Sequence, residues 1–424
     1  MRGRSFAVAV SAVALAVGLA ACGSSSSSST STSGGGGGGG TIDLYSSLPL
    51  QGASKDQTGA MVNGIRLALS EAGGKAGNFT IKYQSLDDST AQAGNWDPGQ
   101  TAQNARKVAQ DSKAVGYIGE FNSGASAISI PILNQAGIPQ VSPANTYVGL
   151  TTSEPGSEKG EPQKYYPSGK RTYLRIVPRD TIQAAALLTL MKQDGCTKVA
   201  IANDKETYGA GLARLLELQS KKVGVDIVSN EGIDKTASNY RSYAAGVKSK
   251  GADCFVFSGV TANGAVQIYK DVSAALPSAK LYGPDGVCES GFTNPSKKGI
   301  PASIGKKFQC TVATLDLTSY PGGKDFLAAY KAKYGVSSPD PYAIYGYEAM
   351  KLGLDTIKKL GAKGDNKGDV LKALFATTGR SSVLGTYGFN KNGDTTLKSY
   401  GLYKVGSDGE PVFVKTLTPT QTVG

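Results

Sequence analysis

The chain has 424 residues, 40% of them hydrophobic and 18% charged, with a formal net charge of +12 and no histidine. The missing imidazole excludes Ser-His-Asp and Cys-His catalysis and any histidine-ligated metal site. The basic excess sits in short clusters such as Lys221-Lys222, Lys297-Lys298 and Lys306-Lys307 with no interleaved aromatic stripe, which reads as a solvated surface rather than a nucleic-acid interface.

In chain order, Arg2 and Arg4 precede a short apolar run from Phe6 to Gly18, and Leu19-Ala20-Ala21-Cys22 follows as a lipobox. The apolar run is too short to span a bilayer comfortably, so residues 1–21 read as a lipoprotein signal peptide and Cys22 as the lipidated first residue of the mature chain. Residues 22–40 are almost wholly Ser, Thr and Gly, a composition that buries nothing and makes a tether of roughly 24 Å r.m.s. reach. The bland alternative is a plain secretory signal with an incidental cysteine. About 380 residues remain to fold, more than one core usually serves, so two lobes are expected.

Strand and helix signals then alternate. Strands are expected at Ile42–Leu48, Thr80–Leu86, Val115–Gly119 and Ile138–Ser142, with helices at Met61–Ala72, from Asp97-Pro98 to about Asp111, and at Ser126–Gln135. Residues 151–172, rich in Pro, Gly, Ser, Lys and Glu, read as a long surface loop. The alternation resumes with helices at Thr181–Gln193, Tyr208–Val223, Tyr240–Lys250 and Gly264–Leu276, and strands at Lys198–Asn203, Asp226–Asn230, Cys254–Phe257 and Lys280–Gly283. Three more helices follow at Lys324–Tyr334, Pro341–Leu360 and Asp369–Thr377, then Gly-Tyr-Val-rich antiparallel strands from Gly385. This βαβ series predicts an α/β fold with parallel sheets covered by helices.

Four cysteines remain after Cys22, none in C-x-x-C spacing, which weakens metal and redox readings; an even number in an exported chain favours disulfides. Three pairings are possible. Cys196 and Cys254 stand near the starts of strands that could be parallel neighbours, which favours Cys196–Cys254 with Cys288–Cys310; free buried thiols are the alternative.

Two segments repeat a pattern of strand, Gly/Ser loop, helix, strand and Pro loop: Val115 to Pro143 and Cys254 to Asp285. Ligands of open parallel sheets bind outside the carboxyl ends of the strands, so two facing units would make a cleft lined by four loops. The loop Glu120–Ser126 offers backbone N–H groups at a helix start, suited to a carboxylate, and Ser142–Thr146 offers more. Asp285, in a Pro-Asp-Gly turn at the matching place of the second unit, could hold an ammonium group. Each signal has an ordinary explanation as a helix cap or a turn.

The order of elements, with Ile118-Gly119 before the Ser123 loop, Gly137-Ile138, Ser142-Pro143-Ala144-Asn145-Thr146, Asn203-Asp204-Lys205-Glu206-Thr207-Tyr208-Gly209 and Gly283-Pro284-Asp285-Gly286-Val287, resembles the substrate-binding proteins of branched-chain amino-acid ABC transporters. The resemblance runs from about Thr41 to the C-terminus. It implies a type I periplasmic-binding fold: two doubly wound parallel-sheet lobes joined by three crossovers, near Ile176–Arg179, Thr311–Asp316 and Ser381–Gly385. Lobe I would comprise residues 41–176 and 316–383, and lobe II residues 177–315 and 384–424. It implies that Ser123, Ala144 and Thr146 bind a ligand carboxylate, and that Asp285, one methylene shorter than the family's Glu, binds an α-ammonium; their loop neighbours Asn122 and Asn145 are further candidate ligand-binding residues. Tyr208 matches a cleft tyrosine of the family. Thr261 stands where another cleft tyrosine is expected, and Gln57 near a missing aromatic.

The resemblance implies an extracytoplasmic solute-binding lipoprotein, not an enzyme. It would be held at the cell membrane by Cys22, act as a monomer without cofactor or metal, and deliver an amino acid or similar zwitterion to ABC permease subunits by hinge closure. The alternative is a same-fold binding protein or sensor for an amide, urea or aromatic acid. A third class, a hydrolase using paired carboxylates, has only Asp87-Asp88, which point to opposite faces of a strand, and Asp204 with Glu206 as nearby acid pairs.

Overall fold

The computed structural model describes residues 39–417 and 419. The expectations for the signal peptide, for Cys22 and for nearly all of the tether lie outside the described residues; Gly39 and Gly40, at its end, are exposed.

Two sheets organise the chain. In the first, β1 (Thr41–Leu48), β2 (Phe79–Asp87), β3 (Ala114–Ile118), β4 (Gln140–Ser142) and β5 (Tyr173–Arg175) are parallel in the order β2-β1-β3-β4-β5, with Lys75–Ala76 antiparallel on the β2 edge. The second contains β6 (Lys198–Asn203), β7 (Asp226–Gly232), β8 (Cys254–Ser258), β9 (Lys280–Gly283) and β10 (Phe308–Val312), parallel in the order β7-β6-β8-β9-β10. Two antiparallel strands, β11 (Tyr400–Val405) and β12 (Pro411–Leu417), extend it beyond β10. The five parallel strands of each half therefore follow one doubly wound order, the repeat anticipated from Val115–Pro143 and Cys254–Asp285. In each half the strand order reverses beside the first strand, and a crevice opens there at the carboxyl ends.

Strands buried on both faces explain the continuous apolar runs: every residue of β8 is buried, as is Val199–Asn203 of β6. Helices α1 (Lys55–Glu71), α2 (Pro98–Gln110) and α3 (Ser123–Ala136) cover the first sheet; α4 (Asp180–Gln193), α5 (Thr207–Val223), α6 (Arg241–Ser249) and α7 (Val266–Ala275) cover the second. The chain then returns, because α8 (Gly323–Tyr334), α9 (Ala343–Leu360) and α10 (Lys367–Phe375) pack on the first half, α9 directly on α1. That helix pair meets at two glycines. A Cβ at Gly64 would stand 2.1 Å from the Ala343 carbonyl oxygen, and one at Gly346 would stand 2.2 Å from that of Met61. Asp97 caps α2 as expected, accepting from Gln100 N–H at 2.9 Å.

Cys196–Cys254 and Cys288–Cys310 are disulfides, with Cα atoms 5.9 and 5.7 Å apart. The first ties the approach to β6 to the start of its parallel neighbour β8, as the strand reading favoured.

The structure corrects three expectations. Residues 151–172 are not simply a surface loop: Tyr147 and Tyr165 each donate a 2.6 Å hydrogen bond to buried Glu161, which also meets Lys164 at 2.9 Å. Polar composition concealed these tyrosine anchors. Strand β5 went unread because it is three residues long and ends in a fully buried arginine. Arg175 bonds Asp394 at 2.8 Å and the Tyr147 carbonyl at 2.8 Å, bringing residues distant in sequence together at the edge of the first sheet. Although burial opposes its ionisation, Arg175 and Arg179 hold the Asp394 carboxyl below the usual carboxylate range. The third crossing falls at 388–399 rather than at Ser381–Gly385. The hairpin of Arg380–Ser382 with Gly385–Tyr387 stays with the first half, where Arg380 and Tyr387 bond Glu348 of α9 at 2.6 and 2.7 Å.

Candidate functional site

The carboxyl ends of the two sheets face a common cleft containing about 500 Å³ of space free of atoms. From the first half come Phe121, Asn122, Ser123 and Gly124 after β3, Ala144 and Thr146 after β4, Gln57 of α1, and Tyr342 just ahead of α9. From the second come Asp204, Glu206 and Tyr208 after β6, Val260 after β8, and Asp285 and Gly286 after β9. Six of the eight candidate residues thus line one cavity.

The first-half wall is built on a helix N-terminus. Asn122, extended in φ/ψ, precedes α3 without capping it, and its buried Oδ1 has no partner. The first-turn N–H groups of this 14-residue helix therefore open toward the cavity at its positive end. Ser123 Oγ faces the Tyr147 N–H at 3.4 Å. The Ala144 N–H, one of the proposed carboxylate donors, is already directed to Ser142 Oγ at 3.1 Å, and the Asn145 N–H shares that acceptor at 2.8 Å. The Asn145 side chain is turned inward, not into the cleft: its amide donates to the Phe121 carbonyl at 2.6 Å and its oxygen accepts from Ser126 and Tyr173. It braces the loop that carries Asn122 and Ser123.

The second-half wall is acidic. Asp285 accepts at Oδ1 from Tyr208 OH, from Gln183 Nε2 at 3.0 Å and from its neighbour Gly286 N–H at 3.0 Å, and at Oδ2 from Tyr342 OH at 2.6 Å. Every one of those donors is neutral. Burial raises the Asp285 carboxyl above its ordinary range, while the tyrosine and amide donors pull it back. Behind it, Asp180 is fully buried with neither carboxylate oxygen hydrogen-bonded. Burial pushes Asp204 up to about 6 against the bonds from Asn263, Glu206 N–H and Val260 N–H that favour its charged form. Glu206 is paired with Lys235 at 2.5 Å. Three of the lining residues are acids and none is basic, so an ionised Asp285 has no counter-ion in the cleft wall.

Thr261 does not line the cavity; its hydroxyl donates to the Gly286 carbonyl at 3.3 Å. Gln57 lines it, with its amide bonded to Asp340 at 3.2 Å. The acid pairs weighed for hydrolysis are otherwise engaged: Asp87 ties Leu50 N–H and Ser89, Asp88 is buried against Glu120, and Asp204 is consumed by the bonds above. The sequence reading missed Phe121, Tyr342 and Trp96, the last of which packs over Gly124 and donates to Glu206 at 3.1 Å. Tyr342 carried no local signal, because only the return of α9 to the first half brings it to Asp285.

Residues 46–410 match the periplasmic binding protein family. An amino acid binding protein of Pseudomonas aeruginosa is 24% identical over 348 residues, 81% of this chain and 83% of that one. The Leu/Ile/Val-binding protein BraC3 of Rhizobium johnstonii is 26% identical over 359 residues, 84% and 89%. Among solved structures, the leucine-binding protein LivK of Thermotoga maritima superposes with a TM-score of 0.75 at 20% identity, covering 89% of this chain and 99% of its own. A solute-binding protein from R. palustris in complex with benzoate gives 0.72 at 19%, covering 89% and 97%. The fold is that of the type I periplasmic binding proteins, and the chain belongs to the periplasmic binding protein family.

Proposed function

We propose that this chain captures an amino acid, or a similar small zwitterion, outside the cytoplasmic membrane and delivers it to the permease of an ABC importer. The observation that carries the reading is the pairing of unlike walls: an open helix N-terminus at Ser123 faces a buried carboxylate, Asp285, that has neutral donors and no cation. A ligand carboxylate satisfies the first and a ligand ammonium the second. Ser123 and Thr146 fix the anion with Ala144, whose N–H it shares with Ser142. Asp285, with Tyr208 and Tyr342 holding its oxygens in place, fixes the ammonium. The names of the relatives, which bind amino acids, support the same choice.

Closure is a hinge motion of one half on the other, and the closed form docks on the permease. The lobes are 41–176 with 316–383 and 177–315 with 384–424, adjusted so that the hairpin at Gly385–Tyr387 moves with the first. Cys22 carries the lipid and residues 22–40 are the leash. An aromatic acid, as in the benzoate-bound neighbour, satisfies only the Ser123 wall and brings no cation to Asp285, which disfavours it here. Isothermal titration with the twenty amino acids and benzoate tests the reading: one or more amino acids bind and benzoate does not. Replacing Cys22 by Ala tests the anchor, since the protein then leaves the membrane fraction.

A further inference from the structure

We propose that Trp96 and Glu206 form a latch across the mouth of the cleft that holds the solute in. This rests on the cleft being a solute site, as argued above, but concerns residues to which that reading gives no role.

The two halves present these side chains from rigid mounts. Trp96 ends a two-residue strand paired with Ser89–Thr90, and the next residue, Asp97, donates its N–H to the Asp88 carbonyl at 2.7 Å and caps α2. The chain is therefore pinned on both sides of the indole. Glu206 stands at the start of α5, its N–H bound to Asp204 at 3.0 Å and its carbonyl accepting from Ala210. Between these mounts the indole N–H donates to Glu206 Oε2 at 3.1 Å, while Lys235 holds Oε1.

The contact lies on the cavity itself. Glu206 lines it, and so does Gly124, against which the ring lies so closely that a Cβ there would be 2.7 Å from Trp96 Cζ2. Glycine at 124 is therefore what lets the indole cover the Ser123 turn. Opening the halves must break the Trp96–Glu206 bond, while the ring stays on the Ser123 loop of its own half. A hydrogen bond to a charged acceptor, partly shielded from water, is strong enough to slow escape by roughly tenfold.

Trp96 is the only tryptophan in the chain, so it reports on its own environment. Acrylamide quenching is measured on the wild type, Glu206→Ala and Glu206→Gln, with and without a mixture of the twenty amino acids. Retention of amino acid through rapid gel filtration is measured on the wild type and Trp96→Phe, with melting curves confirming that each variant folds. The expected result is stronger quenching in Glu206→Ala than in the wild type even without solute, an intermediate value for Glu206→Gln, and roughly tenfold faster solute loss from Trp96→Phe. Equal quenching of Glu206→Ala and wild type overturns the latch, and equal retention by Trp96→Phe overturns its role in holding solute. If the wild type binds nothing in the mixture, the amino-acid reading fails, and the solute-free quenching still decides whether the latch exists.

Discussion

The two walls of the cleft are built on the same strand order and carry opposite chemistry. In the first half, small residues and free N–H groups follow β3, and no charged side chain from that half lines the cavity. In the second, the loops after β6 and β9 carry Asp204, Glu206 and Asp285, and tyrosine hydroxyls converge on the last. Topology fixes where the walls stand, because both sheets open their crevice at the same reversal of strand order. The loops alone decide what each wall attracts. The halves also differ in reinforcement: among the described residues both disulfides fall in the second.

The largest expected effect comes from the buried ion pair at the edge of the first sheet. Arg175 is fully buried, and Arg175→Ala strands Asp394 without its main partner. The loss should be about 3–5 kcal/mol of unfolding free energy, read by urea titration. A loss below 1 kcal/mol would show that the pair does not hold the 388–399 segment against the first half. Next, Cys254→Ser opens a cross-link spanning 58 residues and should cost about 2–4 kcal/mol. If the second half depends on its cross-links, limited proteolysis of this variant should cut there first.

Binding is the third test. Asp285→Ala should weaken amino-acid affinity by about 1.5–3 kcal/mol, the scale of a hydrogen bond to a charged group, by isothermal titration. Asp285→Asn keeps hydrogen-bonding capacity without charge and should fall between. The last test belongs to the first half. Burial raises the Glu120 carboxyl to about 7, and burial raises Asp88 beside it in the same direction. A carboxyl raised above its unfolded value contributes stability that is fully present below that unfolded value, near 4.5, and is lost as pH rises through about 7. Stability should therefore decline from pH 5 to pH 8, and Glu120→Gln should flatten that decline in urea midpoints measured at both values.

Much of this was legible in the sequence because it was local. The strands at Lys198–Asn203 and Cys254–Phe257 are apolar and flanked by turn residues, and the cysteines at their starts pointed to neighbouring strands. Asp97-Pro98 announced a helix by its own chemistry. The loop residues Ser123, Thr146, Tyr208 and Asp285 were found through a repeated pattern and a family resemblance, and the structure gathers them on one cavity. What escaped depends on long-range return of the chain. Tyr342 reaches Asp285 only because α9 packs back on α1, and Arg175 finds Asp394 across more than half of the chain. Asn145 looked like a cleft residue because its neighbours are, but its side chain serves the loop from beneath. Trp96 reads locally as a residue before a helix cap, and only its distance to Glu206 gives it a role.

The central claim is that the cleft reads two opposite charges, one on each wall. The most direct test compares the tightest-binding amino acid with its amine analogue, which lacks the carboxylate, and its acid analogue, which lacks the ammonium, by isothermal titration. The account predicts that both analogues bind at least about tenfold more weakly than the zwitterion, and that Asp285→Ala erases the difference between the zwitterion and the acid. Wild-type protein that binds the acid analogue as tightly as the amino acid would contradict it.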